Sequence, residues 1–233
     1  MSSLILKDTG STKIEPMEAG TYPAICCAII DIGLQYSQAF DKESRQVILM
    51  FEIPSETLEI NGETKSRTLS ATYTFSFNDK SNLRRMLESW RSRAFTQEEL
   101  QGFDLEKVLG MPCLITVINK TNQSGNTFSN IGSVSKMPKG FPVPKGREEP
   151  YLFDLGDKNW EAMMPVLPEW IQSRIRDSKT YKQLISVIHM NPLNKMSNED
   201  LLHYGKLQSK AQFGGASEQT ETVEALSDDD LPF

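Results

Sequence analysis

The chain has 233 residues, of which 38% are hydrophobic and 24% are charged, so it can bury a core and wholesale disorder is excluded. No uncharged apolar run approaches the ~20 residues that cross a bilayer, and residues 1–10 lack a secretory-signal pattern, so we expect a cytoplasmic protein without membrane contact. Three cysteines, two of them neighbours, exclude a disulfide framework.

The formal net charge of −6 comes from the end of the chain. The whole chain has 31 acids and 25 bases, and six of the acids lie in residues 218–233 without any lysine or arginine. Residues 1–217 therefore hold 25 acids against 25 bases. Because a neutral body can carry a basic groove on one side, the charge does not exclude a nucleic-acid partner.

Two strands are predicted near the start of the chain. Residues 20–33 are rich in β-branched and small apolar residues and end at Gly33, which indicates a strand buried on both faces. After the polar segment 35–45, residues 46–53 predict a second strand that Pro54 ends. The polar segment is then the first loop of a sheet.

A hairpin and a third strand follow. The Asn61-Gly62 pair is the strongest short-range hairpin signal. Residues 67–77 predict the third strand, in which aromatic residues alternate with polar ones: Tyr73, Phe75 and Phe77. These three rings share one face, and that face is either the core or a binding platform.

A helix is predicted after the third strand. Apolar residues recur there at i, i+3, i+4 and i+7: Leu83, Met86, Leu87 and Trp90. We expect Trp90 in the core. Thr96 and Glu99 have the spacing of a capping box, which starts a second short helix. Nearby arginines favour a solvated helix face over a basic DNA-binding helix: Arg84, Arg85, Arg91 and Arg93.

Two more strands are predicted beyond the helices. Residues 113–118 form the fourth strand, residues 119–126 a turn-rich loop, and residues 127–136 the fifth strand. Prolines and glycines in residues 138–146 then mark an irregular exit from this domain.

The rest of the chain is predicted to be helical and then disordered. Residues 154–208 are predicted to form a helical appendage, in which Pro168 suits a first helical position. We expect Trp160 and Trp170 to pack within this appendage rather than to stack on bases. Residues 209–233 are rich in small, polar and acidic residues, which predicts disorder.

Three strands, a helix and two strands, with a hairpin between the second and third, is the element order of an OB-fold. We therefore predict a mainly β protein with helical additions, of α+β class: a five-stranded OB-fold barrel in residues 1–153, then the appendage and tail. In this barrel, strands two and three and the loops between strands one and two and strands four and five face oligonucleotides.

Several segments resemble phage-encoded single-stranded DNA-binding proteins that occur with replication and recombination genes. They are GTYPAICCAIIDIGLQ (residues 20–35), FEIP (residues 51–54) and the stretch from KSNLRRMLESWRSRAFTQEEL (residues 80–100) through GMPCLITVINK (residues 110–120), of which the helix segment is the most specific. The resemblance covers residues 1–153 and implies an OB barrel that sequesters single strands. It has no counterpart for the helical appendage.

The last six residues, DDDLPF, resemble the acidic tip of bacterial single-stranded DNA-binding proteins. Leu231 and Phe233 can fill a small apolar pocket while carboxylates meet lysine or arginine around it. We expect this tip to recruit replication, recombination or repair proteins through Asp228, Asp229, Asp230, Leu231, Pro232 and Phe233. The alternative is an idle acidic tail.

Sequence-tolerant binding of single strands needs aromatic faces for bases and cations for phosphates. Tyr36 and Phe40 lie in a polar loop beside Lys42 and Arg45, where burial is hard to arrange, so we expect these four residues to contact DNA.

Further DNA-binding candidates lie along the later strands. Lys65 and Arg67 at the start of strand three and Lys120 in the last loop are placed to bind phosphates, although an exposed lysine is often only solvated. Phe128 is equally compatible with the core and with base stacking. Tyr73, Phe75 and Phe77 complete the candidate set.

Catalysis has little support in the sequence. His189 and His203 are far from any nucleophile motif, no cysteine–histidine pair has zinc spacing, and no glycine-rich phosphate loop is present. We expect a non-enzymatic single-stranded DNA-binding protein without cofactor or metal, which protects replication and recombination intermediates. The alternative is a replisome or recombination adaptor that acts through protein contacts. A homo-oligomer is compatible with the sequence.

Overall fold

A five-stranded antiparallel sheet forms the body of the protein in a computed structural model that describes residues 15–60 and 62–190. The strand order is β3-β2-β1-β4-β5. The strands are β1 (Gly20–Ser37), β2 (Lys42–Ile60), β3 (Glu63–Thr74), β4 (Pro112–Thr121) and β5 (Thr127–Ser135). The edge strands β3 and β5 approach each other, so the open sheet curls into a half-barrel. The predicted mainly β, barrel-like class with helices is confirmed.

Helices lie between β3 and β4 and after β5. They are α1 (Asn82–Arg91), α2 (Gln97–Gln101), α3 (Trp160–Met163), α4 (Glu169–Asp177) and α5 (Lys179–Met190). A short strand that the sequence did not predict, β6 (Tyr151–Phe153), pairs parallel with β1 at Ala28–Ile30. A strand of three residues is too short to show a period of two, so no sequence pattern predicts it.

Proline does not end β2, contrary to the sequence prediction. The β2–β3 register shifts between Ile53 and Thr57, and Pro54 lies within this bulge. Residues in a bulge leave the ladder, so the missing N–H of proline needs no partner there. The strand therefore continues to Ile60, which pairs with Glu63 across the predicted hairpin.

The main core fills the inner face of the sheet and is covered by α1. The predicted apolar stripe of α1 is confirmed, because all four of its side chains are buried: Leu83, Met86, Leu87 and Trp90. They pack with alternate residues of β2, among them Leu49 and Phe51. Burial of this stripe is what orients α1 across the sheet.

A second core lies on the opposite face of β1 and β2, under the appendage. Ile30, Ile48, Phe153 and Ile171 belong to it, so β1 is buried on both faces, as predicted. A bulge at Cys27 reverses the alternation of β1 between the two cores. Phe153 and Leu155 both pack in this second core, so the predicted boundary after residue 153 falls inside it.

Tryptophans and helix starts of the appendage follow the prediction in part. Trp160 is buried, but Trp170 is 47% exposed, so its predicted packing is wrong. Pro168 lies at the N-cap of α4 rather than at its first helical position. Trp170 directly precedes Ile171, which is fully buried in the second core, so neighbouring positions of α4 lie on different faces of the helix.

The predicted capping box at α2 is confirmed, and it explains why the prediction of a solvated Arg91 is wrong. Thr96 N donates to Glu99 Oε2 at 2.8 Å, and Glu99 N donates to Thr96 Oγ1 at 3.3 Å. The anchored Glu99 carboxylate pairs with Arg91, whose guanidinium lies 4.1 Å from the Phe95 ring centroid. Arg91 is therefore buried instead of solvated, because its charge is compensated inside the protein.

Candidate nucleic-acid interface

The predicted DNA-binding residues lie at two opposite ends of β1. At the C-terminal end of β1, its last residue, Ser37, pairs with Lys42 beside the first loop. Gly20 at the first residue of β1 pairs with Val117, and β4 runs on from there into its hairpin with β5. The structure therefore does not bring the two candidate loops together, and each end has to be considered separately.

At the C-terminal end of β1, the tight turn of residues 38–41 carries Phe40, whereas Tyr36 belongs to β1 and not to the predicted loop. Phe40 is 82% exposed and Tyr36 is 58% exposed. The Tyr36 hydroxyl donates to Asp41 Oδ1 at 2.7 Å, and Asp41 has a left-handed φ of 44°. This hydrogen bond raises the pKa of Tyr36, so the phenol stays neutral. Two accessible rings thus lie at this end of β1, and a hydrogen bond fixes the hydroxyl of Tyr36.

Arg45 at this end is engaged inside the protein. Its Nη2 lies 2.8 Å from Asp31 Oδ2 and 3.8 Å from Asp154 Oδ1, and its guanidinium is 4.9 Å from the Phe75 ring centroid. Asp31 compensates the charge that the sequence analysis assigned to DNA. The contacts connect β1, β2 and the segment after β6.

The three aromatic residues of the third-strand segment pack against the main core. Burial raises the pKa of Tyr73 to about 12. The Phe77 ring centroid lies 4.7 Å from that of Phe95 and 5.7 Å from that of Phe103. Of the two alternatives for this face, the structure places Tyr73, Phe75 and Phe77 on the core side.

The remaining candidates lie toward the N-terminal end of β1, and we call them the hairpin-end cluster: Lys65, Arg67, Lys120 and Phe128. Lys65 Nζ lies 3.4 Å from Glu63 Oε2, and Arg67 Nη1 donates to the Glu15 carbonyl at 2.7 Å. Lys120 and Phe128 are direct cross-strand partners. The cluster thus offers one half-exposed ring beside a lysine.

Lys120 belongs to a strand and not to a loop, which corrects the sequence prediction. The loop between β4 and β5 is limited to residues 122–126, because Asn122 Oδ1 accepts hydrogen bonds from both Ser124 N and Asn126 N, each at 3.0 Å. Gly125 supplies the left-handed backbone with a φ of 79°. This turn lengthens both strands and places Lys120 opposite Phe128.

A polar groove of about 650 Å³ adjoins the turn of residues 38–41, and we call it the β2–β3 groove. Its lining comes from β2, β3, the segment between β3 and α1, the first residue of α1, and α4: Lys42, Gln46, Thr72, Tyr73, Thr74, Ser76, Asn78, Lys80, Ser81, Asn82 and Arg174. Three of these residues are cations, and none of the described residues that line it is acidic. The groove is therefore suited to an anionic ligand.

Sequence reasoning found Lys42 but missed the other two cations of the β2–β3 groove. Lys80 lies in the short polar segment that precedes α1, and the only sequence signal for it is its position between a predicted strand and a predicted helix. Arg174 belongs to α4, and no local pattern tells where that helix packs on the sheet. The groove arises from this packing.

Other expectations concern parts of the chain outside the described residues. The tip Asp228–Phe233, the tail 209–233 and His203 all lie there. Within residues 15–60 and 62–190, no helix is long and apolar enough to cross a membrane, and no group of three metal-ligating side chains is assembled. Comparison of the sequence with protein-family models and with curated proteins finds no match.

Proposed function

We propose that this protein binds single-stranded DNA without sequence preference, protects replication and recombination intermediates, and acts without catalysis. The observation that carries the proposal is that two exposed rings, Tyr36 and Phe40, adjoin a groove whose charged lining residues are all cations. Rings stack on bases of any identity, and cations neutralise phosphates. These are the two requirements of sequence-tolerant binding.

The strand order supports an OB-fold barrel as the finer description of the sheet. Closing β3 onto β5 turns the order β3-β2-β1-β4-β5 into a five-stranded barrel with α1 between the third and fourth strands. In an OB-fold, strands two and three and the first loop bind oligonucleotides. The β2–β3 groove and the turn of residues 38–41 occupy these positions.

The hairpin-end cluster is a separate candidate contact region. Successive side chains of β3 alternate between its faces, so Lys65 and Arg67 lie on the same face as Tyr73, opposite the face of Thr72 and Thr74. The proposal therefore rests on the turn of residues 38–41 and the β2–β3 groove, and the cluster is an independent candidate.

Binding to labelled oligonucleotides tests the proposal directly. We expect the full chain to bind single strands of different sequence with similar affinity and to bind duplex DNA more weakly. With three phosphates contacted in the groove, log K should fall with log salt at a slope of about −2. Fluorescence anisotropy over a salt series measures both quantities. Equal affinity for duplex and single strands would contradict the proposal.

Partner recruitment through Asp228–Phe233 is a separate part of the proposed function, supported by the resemblance of these residues to an acidic tip. Phe233→Ala removes no charge, so we expect unchanged affinity for single-stranded DNA but loss of replication, recombination or repair proteins from a bacterial lysate pull-down. Phe213→Ala, outside the tip, is the matched control. Recovery of the same proteins by the Phe233 variant would show that the segment is only an acidic tail.

A further inference from the structure

A helix of the appendage delivers a cation to the outer side of the sheet. Arg174 of α4 donates from Nη1 to Thr72 Oγ1 at 2.9 Å and from Nη2 to Gln46 Oε1 at 3.0 Å. Its own carbonyl accepts a hydrogen bond from Gln35 Nε2 at 2.9 Å. Residues of β2 and β3 thus hold the guanidinium at the β2–β3 groove, and a residue of β1 holds the Arg174 backbone.

The charge of Arg174 has no carboxylate partner among the described residues. Both of its side-chain acceptors are neutral oxygens, the side chain is half-buried, and burial lowers its pKa. Neighbouring cations of the appendage are paired: Arg176 Nη1 lies 3.1 Å from Glu169 Oε1, and Lys179 Nζ lies 2.8 Å from Glu43 Oε2. A partly desolvated cation without an anion is costly, and a bound anion would offset that cost.

The groove offers room and additional charge for such an anion. A guanidinium has five N–H donors in a planar fork, and Thr72 and Gln46 engage only part of this fork. Lys42 and Lys80 line the same groove. Phosphate oxygens are the acceptors that a guanidinium fork matches best, and a phosphodiester carries the charge that the groove lacks.

We propose that Arg174 binds a phosphodiester of the single strand and that the helical appendage is therefore part of the DNA-binding site. This inference rests on the proposed function. In this inference α4, which lies outside the five-stranded sheet, supplies one cation of the groove lining.

Substitution of two arginines on the same helix tests the inference. Arg174→Ala should weaken binding to a single-stranded oligonucleotide by about tenfold, since one charge-assisted contact is lost, and should make the salt slope shallower by about 0.7. Arg174→Lys keeps the charge and should retain the salt slope. Arg176→Ala, whose charge is paired with Glu169, should change neither quantity. Anisotropy titrations give affinity and slope, and thermal unfolding confirms that each variant is folded.

The outcomes separate the inference from the function on which it rests. If the unaltered chain binds no single strand, the proposed function fails and the inference fails with it. If the unaltered chain binds but Arg174→Ala has the same affinity and slope, only the inference is overturned. Equal losses in Arg174→Ala and Arg176→Ala would also overturn it, because a general weakening of α4 would then explain both.

Discussion

Trp90→Ala should lower the free energy of unfolding by about 3–5 kcal/mol, the usual cost of truncating a buried tryptophan. Trp90 is 2% exposed and lies at the centre of the main core. Its ring centroid is 5.7 Å from that of Phe51, and its Nε1 donates to the Pro112 carbonyl at 2.9 Å. Alanine would leave a cavity between α1 and the sheet and would remove the partner of that carbonyl.

Chemical denaturation of the variant measures this loss, and the chain contains its own matched control. Trp170→Ala makes the same chemical change at a side chain that is 47% exposed, so we expect it to cost less than 1 kcal/mol, an order-of-magnitude figure for surface substitutions. Similar losses in the two variants would contradict the assignment of Trp90 to the core.

Replacement of both Tyr36 and Phe40 by alanine should weaken binding to single strands by roughly 30-fold or more. Stacking contributes ~1–3 kcal/mol per base, so the loss of two rings removes at least ~2 kcal/mol. Neither ring belongs to a core cluster, so the melting temperature should stay close to that of the unaltered protein. Tyr36 also bonds to Asp41, and the single Phe40→Ala variant isolates the ring that has no such contact to lose.

Phe141→Ala is the control for this pair. Phe141 is also exposed but does not line the β2–β3 groove, so its removal should leave the affinity unchanged. A double variant that binds as tightly as the unaltered protein would remove the aromatic turn from the interface. A double variant that unfolds at lower temperature would show instead that the turn supports the sheet.

The main elements of the sheet could be predicted because each has a clear local period. The stripe Leu83, Met86, Leu87 and Trp90 repeats with the period of a helix, and its four side chains are all buried. Strand ends were harder, since they depend on pairing: Pro54 is tolerated by a bulge, and Asn122 tightens a turn so that Lys120 joins β4. Such events depend on partners that a local window does not contain.

The candidate interface was predictable only where exposure follows from local polarity. Phe40, in a polar segment, is indeed exposed, whereas the environments of Arg45 and Arg91 depend on carboxylates that tertiary folding brings to them. The β2–β3 groove required more, because Arg174 is about a hundred residues away in sequence from Thr72, its partner on β3. Contacts at this separation leave no periodic trace in the chain.

The burial of β1 on both faces restricts how the protein can be shortened. A fragment that ends before β6 would keep all five long strands, yet it would uncover Ala28, Ile30, Ile32 and Ile48 on the outer face of the sheet. An exposed apolar strip of that kind promotes self-association. A minimal fragment intended for crystallisation or for titration with DNA therefore has to extend through α5, even if only the sheet is of interest.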